Sequence, residues 1–227
     1  MAAFPWVIVA SLRFNARNSA IRNIRFGFHG RIKDAALVYI WWPIVAVFTL
    51  GAIFPYVYYR QKKFVVENSS YGSTRFVFTA SGREYYRLFY GALIPIVIGV
   101  LLVVAAGFLF APLSGLVMVA LYLYLFAFYS VRTTNLLYGA SSLSHNRFKS
   151  ELKIMEYLML VLTNSLGTAL TLGLFSPWAR IRSLRYRLSR LTLLADADPE
   201  SFVAGEEKQV SAFGEEVGDF FDLDIGL

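Results

Sequence analysis

Long uncharged stretches alternate with short, strongly basic ones along most of the chain. Residues 35–59 hold 25 consecutive uncharged positions, 88–110 hold 23, 113–131 hold 19 and 157–179 hold 23. A helix needs about 20 apolar residues to cross a hydrocarbon core, so each run predicts a membrane helix. The middle two meet at Ala111-Pro112 and predict a tight hairpin. In the basic segments, Arg25-Phe26-Gly27-Phe28 and Arg75-Phe76-Val77-Phe78 have the short alternation of a brief strand, as for a small sheet under the membrane or an extended loop resting at the interface. After Pro177 the period changes. Ile181, Leu184, Leu188 and Leu191 recur every three or four residues, and Arg180, Arg182, Arg185, Arg187 and Arg190 crowd the rest. That is the pattern of an amphipathic helix lying in a membrane interface.

One stretch is written twice. Thr49-Leu50-Gly51-Ala52-Ile53-Phe54-Pro55 returns as Thr171-Leu172-Gly173-Leu174-Phe175-Ser176-Pro177. A gapless shift of 122 also matches Arg25-Phe26 to Arg147-Phe148, Arg60 to Arg182, Lys63 to Arg185 and Phe64 to Tyr186. Pro5-Trp6 and Ser11-Leu12-Arg13-Phe14 reproduce Pro177-Trp178 and Ser183-Leu184-Arg185-Tyr186, a partial third copy that predicts a late start or a truncation. The organisation expected is a polytopic membrane domain over 1–194 and an acidic tail over 195–227. Within the domain lie a partial repeat (1–24), a repeat (25–68), a transmembrane hairpin (88–131) and a second repeat (147–190). The fold class expected is an all-α integral membrane protein, a helical transmembrane bundle built from an internal repeat, with short β-like segments at the membrane interface.

Composition agrees with a membrane setting: 57% of the residues are hydrophobic and 16% charged, against about 25% charged in soluble domains. The absence of cysteine, with only His29 and His145, removes disulfides and leaves no basis for a metal site or a cofactor. Charge is split. Residues 1–194 carry 21 basic and five acidic side chains, whereas 195–227 carry Lys208 and ten carboxylates. The basic residues flank apolar runs, so the partners expected are membrane lipids, anionic ones in particular, and not nucleic acid; a protein partner or a second copy of the chain also fits. Candidate headgroup contacts are Arg60, Lys62, Lys63, Arg180, Arg182, Arg185, Arg187 and Arg190. In the tail, Val210, Phe213, Val217 and Phe220 fall at helical spacing, as for a helix docking on the basic body or a solvated tail.

Charge also bears on topology. If all four runs cross once, the basic residues divide twelve to ten between the two sides, against the enrichment of lysine and arginine in cytoplasmic loops. If the first and last runs turn back at Gly51 and Gly173, all 22 fall on one side. The second arrangement is favoured, with Ser176 capping a new helix that opens on Pro177. Four single spans would instead give an inverted repeat with Gly/Pro interruptions, as in carriers with a midplane site. Gly51, Pro55, Gly173, Pro177 and Asn164 are the candidates there, although Asn164 serves equally as hydrogen-bond glue between helices.

No nucleophile, zinc or phosphate-loop motif is present, so no enzymatic activity is expected. The doubled Thr-Leu-Gly-x3-Pro turn, the Arg-Phe-x-Phe entries and the closing Phe221-Asp222-Leu223-Asp224-Ile225-Gly226-Leu227 resemble the YjgN family of bacterial inner-membrane proteins, whose domain is of unknown function. The resemblance implies a multi-pass place in the inner membrane and brings no activity or catalytic residues. Family members begin with a complete repeat; this chain starts inside the pattern. The function expected is that of a lipid- or partner-binding, organising membrane protein, with a transporter or channel component as the alternative.

Overall fold

Among the residues that the computed structural model describes (3–22, 24–144 and 146–194), a helix runs directly into a strand four times. Helix α1 (Ala3–Arg17) leads into β1 (Ala20–Ile21) and β2 (Ile24–Phe28). A second helical stretch, α2 (Ile32–Ala36), a π-helical turn (Leu37–Trp41) and α3 (Trp42–Phe48), precedes α4 (Phe54–Glu67), which leads into β3 (Ser69–Tyr71) and β4 (Thr74–Phe78). Next come α5 (Gly82–Gly91), α6 (Leu93–Leu109) and α7 (Ala111–Gly139), then β5 (Ser141–Leu143) and β6 (Asn146–Ser150). Helices α8 (Ile154–Leu170) and α9 (Ser176–Ser189) lead to β7 (Leu191–Leu194).

The three strand pairs that follow α1, α4 and α7 share one construction. Each closes through a loop whose first residue is left-handed: Arg22 (φ 50), Gly72 (φ 58) and Ser144 (φ 54). Such a residue matches the right-handed twist of paired strands and permits a two-residue loop. Each then places the same Arg-Phe pair in its second strand, with Ala20 opposite Arg25, Ser70 opposite Arg75 and Ser142 opposite Arg147. The pairs join one another antiparallel, Phe26 facing Tyr71 and Phe76 facing Leu143. The result is a seven-stranded sheet in the order β1-β2-β3-β4-β5-β6-β7.

This corrects the expected fold class. The chain is not an all-α transmembrane bundle: the segments read as scattered β-like pieces are members of one sheet. The apolar runs misled because their length dominates the pattern, while the strands are two to five residues long. The alternative of four single membrane spans also fails. Among the described residues two helices, Gly82–Leu109 (28 residues) and Ala111–Gly139 (29 residues), are long and apolar enough to cross a membrane; α8 is 17 residues long, and the 35–59 run is broken between α3 and α4. Leu191, counted on the apolar stripe of the last helix, lies in β7 instead.

The described residues fall into two units. One takes those up to Thr79 together with Ser141–Arg147, and the other takes Ala80–Ala140 and Phe148–Leu193. The first is built on Val9, Phe28, Ala35, Val38 and Phe64, with the Phe64 ring edge-on to Phe28 and Tyr39 at centroid distances of 5.8 and 6.1 Å. The second packs α6 on α7 so closely that a Cβ at Gly99 would run into the Leu121 side chain, the close approach that small residues permit between membrane helices. Its other cluster, Ala127, Val131, Leu152 and Tyr157, joins α7 to α8. There the Asn135 side chain acts like a strand edge, its Nδ2 donating to the Leu152 carbonyl and its Oδ1 accepting from the Leu152 amide, both at 3.0 Å. The acidic tail, with any docking helix in it, and His145 lie outside the described residues.

Candidate functional site

The last apolar run doubles back on itself. Helix α8 ends at Leu170, the chain reverses through Thr171–Phe175, and α9 returns along α8. Gly173 sits at φ +96 with nothing within 4 Å of where a Cβ would stand, so its left-handed backbone is what demands glycine. Leu172 before it is left-handed too, at φ 50, a conformation that costs a non-glycine residue about 1–2 kcal/mol. Leu50 (φ 50) and Gly51 (φ 82) repeat this backbone between α3 and α4. Pro177 and Pro55 occupy the first turns of α9 and α4, where a missing N–H costs nothing. The expected Ser176 cap is not formed: Ser176 is already helical, and the preceding Phe175 makes no side-chain cap.

The turn satisfies itself. Thr171 N–H donates to the Gly167 carbonyl (3.1 Å), Leu172 to Ala169 (3.2 Å), Gly173 to Thr168 (2.8 Å), Leu174 to Thr171 (3.1 Å) and Ser176 to Gly173 (3.0 Å). Phe175 N–H donates to the Thr171 hydroxyl at 3.0 Å. All six amides are thus spent inside the turn, while Leu172 is 96% exposed and Leu170 and Leu174 stand out beside it. Satisfied amides under bare leucines meet half of what hydrocarbon requires of a chain that enters it, where each unpaired backbone group is costly.

Asn164 holds the returning helix. Its Nδ2 donates to the Ala179 carbonyl (3.3 Å) and the Ser183 hydroxyl (3.1 Å), and its Oδ1 accepts from Arg182 Nη1 (3.2 Å), which also donates to Thr163 (2.9 Å). At the open end of the hairpin, Glu156 takes Arg190 at 2.8 Å, Lys153 at 3.1 Å and the Tyr186 hydroxyl at 3.1 Å. The Lys153 hydrogen bond holds the Glu156 carboxyl below its ordinary range; partial burial opposes this, and Tyr186 and Arg190 add to it. Arg187 donates to the Tyr157 hydroxyl at 2.8 Å and lies over its ring.

Helix α9 has no buried residue. Ala179, Ser183, Tyr186 and Arg190 are half-buried where it meets α8. Trp178, Ile181, Leu184 and Leu188 are 56–70% exposed, and Arg180, Arg182, Arg185 and Arg187 are exposed around them. The other predicted contacts fare differently. Arg60, Lys62 and Lys63 of α4 are half-buried, Lys62 over the Tyr58 ring at 5.0 Å, and Lys63 over Tyr59 and paired with Glu67 at 3.6 Å. The structure therefore gathers Gly173, Pro177, Asn164 and the α9 arginines in one place. Gly51, Pro55 and the α4 cations belong to the other unit.

Sequence reasoning missed Ser183 and Tyr157 as partners, and the Glu156 ion pairs. The signal was present: folding the chain about Gly173 brings Asn164 opposite Ser183 and Glu156 opposite Arg190. Among the described residues no cluster of histidine and carboxylate could hold a metal ion.

The fold defines a class, that of a mostly helical protein carrying a seven-stranded antiparallel sheet and, among the described residues, two helices long and apolar enough to cross a membrane. The family model described as bacterial protein of unknown function (DUF898) matches residues 1–220. The chain belongs to that family. No curated protein and no solved structure matches it.

Proposed function

We propose that this protein is a multi-pass protein of the bacterial inner membrane that binds anionic lipid headgroups through α9. The observation that carries the reading is that α9 leaves an apolar stripe, Trp178-Ile181-Leu184-Leu188, bare along its length with arginines around it. An exposed stripe of this size is costly in water, whereas at a bilayer surface it enters the headgroup boundary and each arginine adds about 1 kcal/mol of attraction to an anionic leaflet. Helices Gly82–Leu109 and Ala111–Gly139 cross the bilayer as a hairpin, and the Thr171–Phe175 turn dips into one leaflet. The basic residues that bracket these segments, Arg83, Arg87, Arg132, Lys153 and the α9 arginines, then lie on one side, in keeping with the cytoplasmic bias of lysine and arginine. The likeness to the YjgN proteins is consistent with the family found.

The carrier alternative draws less support. Asn164, its best intramembrane candidate, spends its amide on Ala179, Ser183 and Arg182.

The test uses Trp178 as the one tryptophan (Trp6→Phe, Trp41→Phe, Trp42→Phe) in vesicles of phosphatidylglycerol and phosphatidylcholine carrying doxyl-labelled lipids. Its emission is expected to shift to the blue, with shallow labels quenching it more than deep ones. Emission of a water-exposed indole, unquenched at either depth, would remove the reading.

A further inference from the structure

Between α7, α8 and α9 lies an open groove of about 830 Å³, within the size range of small-molecule sites, about 300–1,000 Å³. Resting on the proposed lipid-binding function, we infer that this groove is a discrete site for one anionic phospholipid, its phosphate held between Arg180 and Arg187 and an acyl chain on the groove's apolar wall.

The polar side is built on one stripe of α9. Arg180, Ser183 and Arg187 all line the groove, and their spacing of three and four places them on one helix face. The two arginine backbones are about 10 Å apart at roughly 1.5 Å per residue. A phosphate above Ser183 is then about 5 Å along the axis from each, within reach of both side chains. The donors are available. Arg180 has no hydrogen-bond or ion-pair partner among the described residues. Arg187 is positioned by its bond to the Tyr157 hydroxyl and its stacking on that ring, and a guanidinium with five N–H groups keeps donors to spare. Ser183 accepts from Asn164, which leaves its own O–H to donate. No carboxylate lines the groove, and the nearby Glu156 is already occupied by Lys153 and Arg190.

The apolar wall specifies a lipid over a free phosphate. Phe126, Val161, Ala169 and Leu172 line the rest of the groove. Phe126 stands six residues before Arg132, the first charge after the long uncharged stretch, so it lies about 9 Å on its membrane side along α7. A groove with cations on one wall and hydrocarbon on the other matches a headgroup joined to its chain.

The full chain in neutral detergent is titrated calorimetrically with dihexanoyl phosphatidylglycerol, dihexanoyl phosphatidylcholine and inorganic phosphate. Phosphatidylglycerol is expected to bind at least tenfold more tightly than inorganic phosphate and several-fold more tightly than phosphatidylcholine. Arg180→Gln, which removes no hydrogen bond or ion pair among the described residues, is expected to weaken phosphatidylglycerol about tenfold. Arg185→Gln, the same charge loss outside the groove, weakens attraction to an anionic leaflet but should change binding of this single short-chain lipid in detergent less than twofold. Ala169→Phe fills the apolar wall and should weaken the lipid at least fivefold, leaving phosphate unchanged. Equal losses in Arg180→Gln and Arg185→Gln would mean a diffuse cationic surface and overturn the site while sparing the proposed function. Inorganic phosphate binding as tightly as the lipid, or an unaffected Ala169→Phe, overturns it as well. Failure of the function itself appears separately, as an unquenched Trp178.

Discussion

The α3–α4 and α8–α9 hairpins turn through the same backbone, Leu then Gly in left-handed conformations, and yet they are held together by opposite means. Trp42 of α3 meets Tyr56 of α4 edge-on at 5.0 Å, and α4 buries Pro55, Val57 and Phe64. The residues 122 positions later are Asn164 and Trp178. There the polar Asn164 reaches the backbone and hydroxyl of α9, Trp178 is 70% exposed, and α9 buries nothing. The first hairpin packs Trp42 on Tyr56, buries Phe64 and lays Lys62 and Lys63 over rings, while Trp41, Phe48 and Phe54 stay exposed. The second is stapled by polar atoms, Arg182, Arg187 and Arg190 among them, and leaves Trp178, Ile181, Leu184, Leu188, Arg180 and Arg185 exposed on α9. That difference is why the lipid-facing function is assigned to α9 and not to α4.

The largest test of this contrast compares Phe64→Ala with Tyr186→Ala, at positions 122 apart. Phe64 is buried between Phe28 and Tyr39, and truncating such a ring costs about 3–5 kcal/mol. Tyr186 is half-exposed, so its truncation is expected to cost less than half as much. Thermal unfolding followed by near-ultraviolet circular dichroism measures both; equal shifts would abolish the distinction. Next in size is Asn164→Leu. It removes the bonds to the Ala179 carbonyl and the Ser183 hydroxyl and takes one acceptor from Arg182, at a cost of about 1–3 kcal/mol. Trp42→Phe in the first hairpin removes a buried indole N–H that has no acceptor, so it is expected to be the milder change. Should Trp42→Phe prove the more damaging, polar stapling is not what holds the second hairpin.

How much of this could be read beforehand depended on whether a feature is local. The turns at Gly51 and Gly173 were legible because charge arithmetic and glycine placement both pointed to them. The Arg25-Phe26 and Arg75-Phe76 strands were legible as alternation. Their pairing into a sheet stood level with an extended loop at the interface, since the choice depends on left-handed Arg22 and Ser144, residue types that do not announce that conformation, and on pairings such as Phe76 with Leu143, distant in sequence. The exposure of α9 was foreseen in its amphipathic period. The groove was not, because Phe126 and Arg180 come together only through tertiary packing.

The smallest expected effect is a pH dependence confined to the second hairpin. Glu156 has its pKa lowered in the folded chain from an ordinary 4.5, chiefly by the Lys153 hydrogen bond. A carboxyl with a depressed folded pKa contributes stability that is complete above its unfolded value and is lost as pH falls through the folded one. The open end of the hairpin should therefore loosen only below about pH 4.5. The readout is hydrogen exchange at the Glu151 amide, which donates to the Arg190 carbonyl at 3.0 Å. Near neutral pH, Glu156→Gln is expected to raise exchange at this amide over wild type by a small factor. The gap should close as the pH falls and the wild-type carboxyl takes up its proton. An amide equally protected in both proteins near neutral pH would show that Arg190 is held by the β7 connection and not by the Glu156 ion pair.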